Sequence, residues 1–502
     1  MSSRQVDVVV VGNGVLGLSI AVEAARRASD LRIAVVGPRD RPAAASTAAG
    51  AMLNCFGEVT TGTTEHPAAR AKLAIARQAL DLWPGWLEQL ADEAGSADGL
   101  RHTPGTTVVL GGRSGRVATR NFEAVLAALV EHGEPHDVLD PSDVEGLAPE
   151  PGARPTHAVH LRREGAVDAR AVVGALDAAA RRLGVDLVDS TAHELIVEGG
   201  AVRGVVLRDG GRIAAGTVVL AAGSGSGALA DAVLPPGAVP PVWHGTGLAL
   251  LAEQPPARVR ARHVLRTPNR AAACGLHLVP LAGAQHVGAT NIVTPEPTPG
   301  PDIGSSQAFL RAVCEQFDHR LAARHVHRWL HGVRPVSLDG FPLIGRCGVD
   351  GLVFATGTHR DGLHCSPAIA AHLARDILDG PTVDERLAWF TPERPPVQTG
   401  SLDQAVEEAT THLVDGASEY GLALPFWLDV DTVHDWARQR VERVYENLGV
   451  ALPPEAVVVV RALIDPRREE LLCRYTRAAA RHHANGEPAS RAVERAGQAG
   501  SR

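Results

Sequence analysis

The sequence predicts a mixed α/β chain in which an antiparallel-sheet domain is inserted into a discontinuous parallel-sheet domain, followed by a helical extension. Three observations predict it. The chain opens with an apolar run, a glycine turn, a breaker-free helical stretch and a second apolar run. Further buried runs that end in glycine return near residues 160–223 and 330–380, with antiparallel-looking strands between them. Beyond Pro395 the strands give way to helical periodicity. A length of 502 residues asks for more than one core.

Each element has its own reason. Residues 6–11 are a short β-branched run that reads as a buried parallel strand. Gly12-Asn13-Gly14-Val15-Leu16-Gly17 follows, then residues 18–28 without a breaker, then a second strand over 31–36, a βαβ unit of about 30 residues. Residues 68–91 read as a long helix interrupted by Pro84. Residues 106–140 read as strand then helix, and 168–183 as a helix. Over 187–221, short strands alternate with the turns Gly199-Gly200 and Gly210-Gly211, and the last of them stops at Gly223. Residues 240–292 hold more strand-like runs, 352–356 is a buried strand ending at Gly357, and 368–378 is a helix. Arg394-Pro395-Pro396 begins a linker, and three or four helical stretches follow. The clearest is 431–448, with Val433, Ala437, Val441, Val444 and Leu448 at helical spacing. The tail from Asn485 is small, charged and polar, and reads as disordered.

Composition excludes several classes. The net charge of −8 lacks the basic footprint that nucleic-acid binding requires. No run reaches the roughly 20 apolar residues of a membrane span, and the N-terminus lacks the pattern of a signal peptide. The 6 cysteines are scattered without metal-like spacing, which suits free thiols in a reducing cytoplasm. Lys72 is the only lysine, so no chemistry that needs two is available.

Gly12-x-Gly14-x-x-Gly17 is the dinucleotide fingerprint of a Rossmann-like unit. Gly12 permits the tight turn, Gly14 lets backbone amides approach a pyrophosphate, and Gly17 lets helix and strand pack closely. The acid expected at the end of the second strand is missing: Gly37 stands there, followed by Pro38-Arg39-Asp40. Asp40 or backbone takes its place, or Arg39 faces the 2′-phosphate of an NADP.

Later motifs decide between cofactors. Residues 46–53, the strand ending at Gly223, the run from Gly332 through Arg334-Pro335 and Asp339-Gly340 to Gly345, and Ala355-Thr356-Gly357-Thr358-His359-Arg360-Asp361-Gly362 form an ordered series. With it, residues 6 to 378 resemble the FAD-dependent D-amino-acid oxidase superfamily, and within it the glycine oxidase branch. The resemblance implies noncovalent FAD, its pyrophosphate on Gly12, Gly14 and Gly17. The isoalloxazine would lie against Ser46, Thr47, Ala49, Gly50 and Met52, with Gly223 beside the cofactor. Gly357, Arg360, Asp361, Gly362 and Leu363 would face its pyrimidine end. Arg334 would clamp a substrate carboxylate in two-pronged fashion, with Arg360 close by. The bland alternative for Arg334 is a structural pair with Asp339.

The sequence departs from that family in places. Residues 49–52 read Ala-Gly-Ala-Met where Ala-Ala-Gly-Met is usual, and His277 stands where a tyrosine is common. No tyrosine precedes Tyr420, so the usual phenolic contact is lacking and the pocket chemistry differs. His244 is a further pocket candidate, and Glu58 reads as structural. His325, His327, His331, His359 and His364 have no convergent acid or thiol partner, so no metal site is expected.

The resemblance thus implies FAD-binding segments 1–85, 155–225 and 330–394, a substrate domain from 86–154 and 226–329, a helical extension over 395–484 and a disordered tail over 485–502. The implied reaction passes hydride from the carbon of a C–N bond, in an amino acid or an N-substituted amino acid, to FAD. Imine hydrolysis and release of hydrogen peroxide from dioxygen follow. The implied substrate is a small carboxylate-bearing amine, the location cytoplasmic, and the oligomeric state open. Two rivals stand beside this reading: an NADP-dependent or flavin monooxygenase, and a cofactor-retaining scaffold with a helical partner module.

Overall fold

The computed structural model describes residues 3–271, 273–381, 384–419, 421–453, 461–463, 465–486 and 489–490. Ser3–Val11 pairs in parallel with Ile33–Val36 on one side and Arg212–Leu220 on the other. Asp186–Val188 and Leu352–Thr356 extend this sheet in parallel at its two sides, and Leu343–Arg346 closes one edge antiparallel. Strand periodicity explains the burial. Val8 and Val10 enter one core with Leu18 and Ile20 of the helix Val15–Arg27, while Val9 and Val11 enter another with Val218 and Leu220. Alternate side chains face opposite ways, and a parallel sheet covered on both faces needs both sets apolar.

The second sheet is built on Val242–Glu253, which pairs antiparallel with Val326–Ser337 and with Ala284–Gly288. It continues through His277–Leu281, Val264–Arg266, Thr103–Gly111, Pro155–Ala166 and His136–Leu139. Val264–Arg266 lies parallel to Thr103–Gly111 inside this otherwise antiparallel sheet. Pro155–Ala166 and Val326–Ser337, grouped by sequence mostly with the nucleotide-binding segments, hydrogen-bond into this second sheet. Each is a 12-residue strand.

Pro84 does not interrupt its helix. Pro67–Ala94 is continuous, with Pro84 inside it. Proline removes one ladder hydrogen bond, but Trp83, Trp86, Leu87 and Leu90 are buried around it and the Trp83 indole donates to the His364 carbonyl at 2.8 Å. Tertiary packing overrides the local cost.

The extension forms the helices Leu402–Glu419, Val430–Leu448 and Pro466–Ala484. Val406, Ala409, Val441, Val444, Tyr445 and Leu472 share one apolar cluster with Trp243, Val293, Val336 and Leu338 of the sheet region. Asp415 accepts from the Val117 N–H at 2.7 Å, capping the helix Arg116–Glu131. Of the tail, Ala489 is buried and its N–H donates to Glu393 at 2.8 Å; the disorder expected for 487–488 and 491–502 falls outside the described residues. Among the described residues no helix is long and apolar enough to cross a membrane.

Candidate active site

A cavity of about 630 Å³ opens where the parallel strands end, at Val11, Val36 and Ala221. Ligands of open α/β sheets sit at such carboxyl ends. Gly12 has φ +118, and a Cβ there would run into the Ala221 carbonyl and the Ala222 backbone. Only glycine fits. Gly17 does not line the cavity: its missing Cβ lets the helix press on Gly12. The helix Val15–Arg27 has Gly14 as N-cap with no side-chain cap, while the Ser46 hydroxyl accepts from the Val15 N–H at 3.0 Å. These N–H groups and the helix dipole form a cradle for phosphate.

Gly37 has a direct explanation. A Cβ there would strike the Asn13 side chain, whose amide donates to the Pro38 carbonyl at 2.9 Å. Arg41 also lines the cavity, donating to the Asn13 carbonyl at 2.9 Å and to Asp177 at 2.6 Å. Arg39 and Asp40 are not part of the lining; the Arg39 side chain is 80% exposed and lies 3.6 Å from Asp189. Arg39 is therefore not placed to read a 2′-phosphate, and the NADP reading loses its residue.

Among the other expected residues, Gly14, Ser46, Ala49, Gly50, Met52, Gly223, Arg360, Asp361, Gly362 and Leu363 line the same cavity, as do His244, His277 and Arg334. Thr47 and Gly357 stand outside its lining. The Thr47 hydroxyl turns back to the Ala44 carbonyl at 3.3 Å, and Gly357, at φ +70, packs against Ser337 and Leu343. Among the described residues no group of three His, Cys, Asp or Glu could hold a metal ion.

The charged end of the cavity is built around arginines. Arg266 is buried and donates to Glu58 at 2.7 Å; Arg360 lies 3.7 Å from the other Glu58 oxygen and donates to Asn269 at 3.2 Å. Glu58 thus serves two guanidinium groups. Burial alone would raise its carboxyl, but Arg266 and Arg360 outweigh burial and hold it at about 2. Arg334 meets no carboxylate within ion-pair distance among the described residues: it donates to the Thr290 carbonyl at 3.0 Å and to Asn291 at 3.3 Å. Burial lowers its pKa from the ordinary value. The pairing of Arg334 with Asp339 does not occur, because Arg394 holds Asp339 at 2.8 Å and the Val397 N–H donates to it as well.

His277 and His286 stack with ring centroids 5.4 Å apart. Burial, then the neighbouring His286 and Arg266, keep His277 well below its usual value, so its ring is neutral, and its Nε2 has no hydrogen-bond partner. The glycine shift at residues 49–52 follows from this ring. A Cβ at Gly50 would come within 2.8 Å of His277 Nε2. Ala51 then carries the left-handed φ of 48° while buried. Alanine pays roughly 1–2 kcal/mol for that conformation. Ala51→Gly should stabilise the fold by about 0.5–1 kcal/mol after the entropy of glycine is subtracted, read as a raised midpoint in chemical denaturation. An unchanged or lowered midpoint would count against strain at Ala51.

Asn13, Arg41 and Asn291 were not singled out as site residues by sequence, and Glu58 and His359 were weighed there without a role in the site, although all five line or adjoin the cavity. Asn13, inside the glycine loop, and His359, inside the 355–362 motif, carried a local signal. The depressed Glu58 carboxyl has a testable consequence. A folded-state pKa of about 2 against an ordinary 4.5 gives stability that is present above pH 4.5 and lost as pH falls toward 2. That contribution is roughly 3 kcal/mol. Glu58→Gln should flatten this part of the stability–pH profile; a mutant profile as steep as wild type would refute the pairing.

Comparison with known proteins settles the family. The model of the family described as FAD dependent oxidoreductase matches residues 7–375. The chain belongs to that family. It is 27% identical over 412 residues to the bifunctional protein ThiO/ThiG of Nostoc sp., covering 80% of this chain and 57% of that protein. The chain thus spans little more than half the length of this curated relative. It is 26% identical to a glycine oxidase of Geobacillus kaustophilus, covering 78% of this chain and 97% of the relative. A crystal structure of glycine oxidase from Geobacillus kaustophilus superposes with a TM-score of 0.65 at 23% identity, over 78% of this chain and 99% of that one. FAD is the cofactor of this family, and the glycine turn, the helix start at Gly14 and the cavity of about 630 Å³ fit it.

Proposed function

We propose that the chain is a flavin-dependent amine oxidase that acts on the C–N bond of an amino acid or an N-substituted amino acid. One observation carries the reading: Arg334 presents a guanidinium to the cavity and, among the described residues, has no carboxylate within ion-pair distance. A desolvated cation calls for an anionic partner, and its planar fork matches a carboxylate.

The residues divide the work. Gly12, Gly14 and Ser46 would hold the dinucleotide, and the 49–52 turn with 360–363 would bracket the ring. Arg334 binds and orients the substrate carboxylate. Arg360 is held by Glu58 and Asn269, so it shapes the pocket beside Arg334. His277, its neutral ring packed against Gly50 and Gly288, shapes the cavity wall beside the substrate amine. Held by these residues, FAD would supply the acceptor for the hydride and the route for two electrons to dioxygen, with hydrogen peroxide as the product. The substrate loses that hydride from carbon and a proton from nitrogen, and water then splits the imine into a carbonyl compound and an amine.

Among the described residues Cys274 is the one cysteine in this lining, and its thiol is engaged, donating to the Ala289 carbonyl at 3.3 Å. The flavin is therefore expected to be noncovalent. Acid precipitation of the yellow protein should leave all colour in the supernatant; colour in the pellet would refute it. Peroxide formation with an amino acid separates this reading from a scaffold, which would hold flavin without turnover.

A further inference from the structure

A second cavity of about 590 Å³ adjoins the first. Asn54, Glu58, His359, Arg360 and Asp361 line both, so the two cavities meet along these side chains. Asn291, which accepts from Arg334 at 3.3 Å, also lines the second cavity. The carboxylate clamp and this chamber are therefore one side chain apart.

We propose that the second cavity binds the nitrogen substituent of the substrate, a polar chain of several atoms on a secondary amine whose carboxylate end lies at Arg334. The inference rests on the amine-oxidase reading above and adds the substrate class.

Size is the first argument. Glycine or a similarly small amino acid would fill only the space near Arg334 and leave the chamber to solvent, at roughly 30 Å³ per water. A volume of about 590 Å³ is that of a ligand pocket in its own right. Lining is the second. Asn121 and Asn269 on one side face Gln404, Glu407 and Glu408 on the other. These groups already have partners within the chain. An alkyl chain would therefore strip the remaining water from the Glu407 and Glu408 carboxylates, whereas a polar chain replaces that water with hydrogen bonds. Sites built to hydrogen-bond discriminate strongly on that basis.

The third argument is where the wall comes from. Gln404, Glu407 and Glu408 belong to the helix Leu402–Glu419, beyond the family match that ends at residue 375. Nearly the whole of the Geobacillus glycine oxidase structure, 99%, is accounted for by 78% of this chain. The extension is what closes the chamber. It is firmly held there: Arg438 binds Glu407 at 2.7 Å and also binds Asp403, and Asp415 caps the helix that carries Asn121. A wall so anchored is a fixed boundary for a ligand.

The test uses the flavin-loaded full chain and anaerobic loss of flavin colour. Its probes are glycine, N-butylglycine and N-substituted glycines whose chains end in hydroxyl, ammonium or carboxylate. At least one polar-chain probe should exceed both glycine and N-butylglycine roughly tenfold in kcat/KM. Glu408→Trp and Arg120→Trp place bulk in the chamber from opposite walls, at exposed helix positions that tolerate substitution. Each should cut the polar-chain preference roughly tenfold, mainly through KM. Matched flavin content and melting behaviour would show that both variants fold. If small amino acids bleach the flavin best and both tryptophan variants keep the wild-type ranking, the chamber assignment is overturned and the amine-oxidase reading stands. If no amine bleaches the wild type, both fall.

Discussion

Replacing Arg334 with alanine lowers kcat/KM by roughly 30- to 5000-fold and leaves flavin content near wild type. The range follows from the 2–5 kcal/mol, approximately, that truncating one side of a buried charge pair costs, with each 1.36 kcal/mol worth tenfold. The cation is partly buried and, among the described residues, has Thr290 and Asn291 as acceptors, so without it the substrate carboxylate meets a carbonyl and an amide. Arg334→Lys should recover part of the loss, because an ammonium supplies charge without the fork. Arg360→Ala should cost less, since Glu58 and Asn269 already engage Arg360. The measurement is steady-state kinetics beside a flavin-to-protein ratio. Wild-type kcat/KM in Arg334→Ala would remove the clamp from this account.

Truncation after Thr399 should abolish soluble, flavin-loaded protein. It strips the apolar partners from Trp243, Val293, Val336 and Leu338, which share a core with the extension. At about 1.5–3 kcal/mol for each buried side chain exposed, the sum approaches the roughly 5–15 kcal/mol that holds a whole domain. Val336 stands two residues from Arg334 on the strand Val326–Ser337, so the damage reaches the clamp. Expression yield, thermal melting and flavin content read the outcome. A truncated chain that melts like wild type and keeps its colour would make the extension a passive appendage.

Much of this was legible in the sequence because its determinants are local. The glycine loop announces itself by spacing, and φ +118 at Gly12 with the close approach at Gly17 shows why those positions tolerate nothing larger. Strand runs such as residues 6–11 are apolar on both faces because both are covered. Determinants that lie far apart in the chain were hidden. Asp339 sits five residues from Arg334, which suggested a pair, yet Arg394 claims it from a distance no spacing argument reaches. Gly37 looked like a missing acid, and the cause was Asn13 occupying the space. Glu58 read as structural; its position between Arg266 and Arg360 required the sheet to be assembled. The second cavity has no sequence signature, because its walls come from segments as distant as Asn54 and Pro453.

The central claim is that a carboxylate-bearing amine is held at Arg334 and oxidised at the carbon of its C–N bond. Anaerobic single turnover of the wild-type holoprotein tests it most directly, with amino acids and N-substituted amino acids set against the same amines lacking the carboxylate. The account predicts that a carboxylate-bearing amine bleaches the flavin, yields one carbonyl product per flavin reduced, and does so more slowly when the reacting carbon carries deuterium. Colour that persists with every carboxylate-bearing amine, or bleaching that proceeds equally well without the carboxylate, would contradict it.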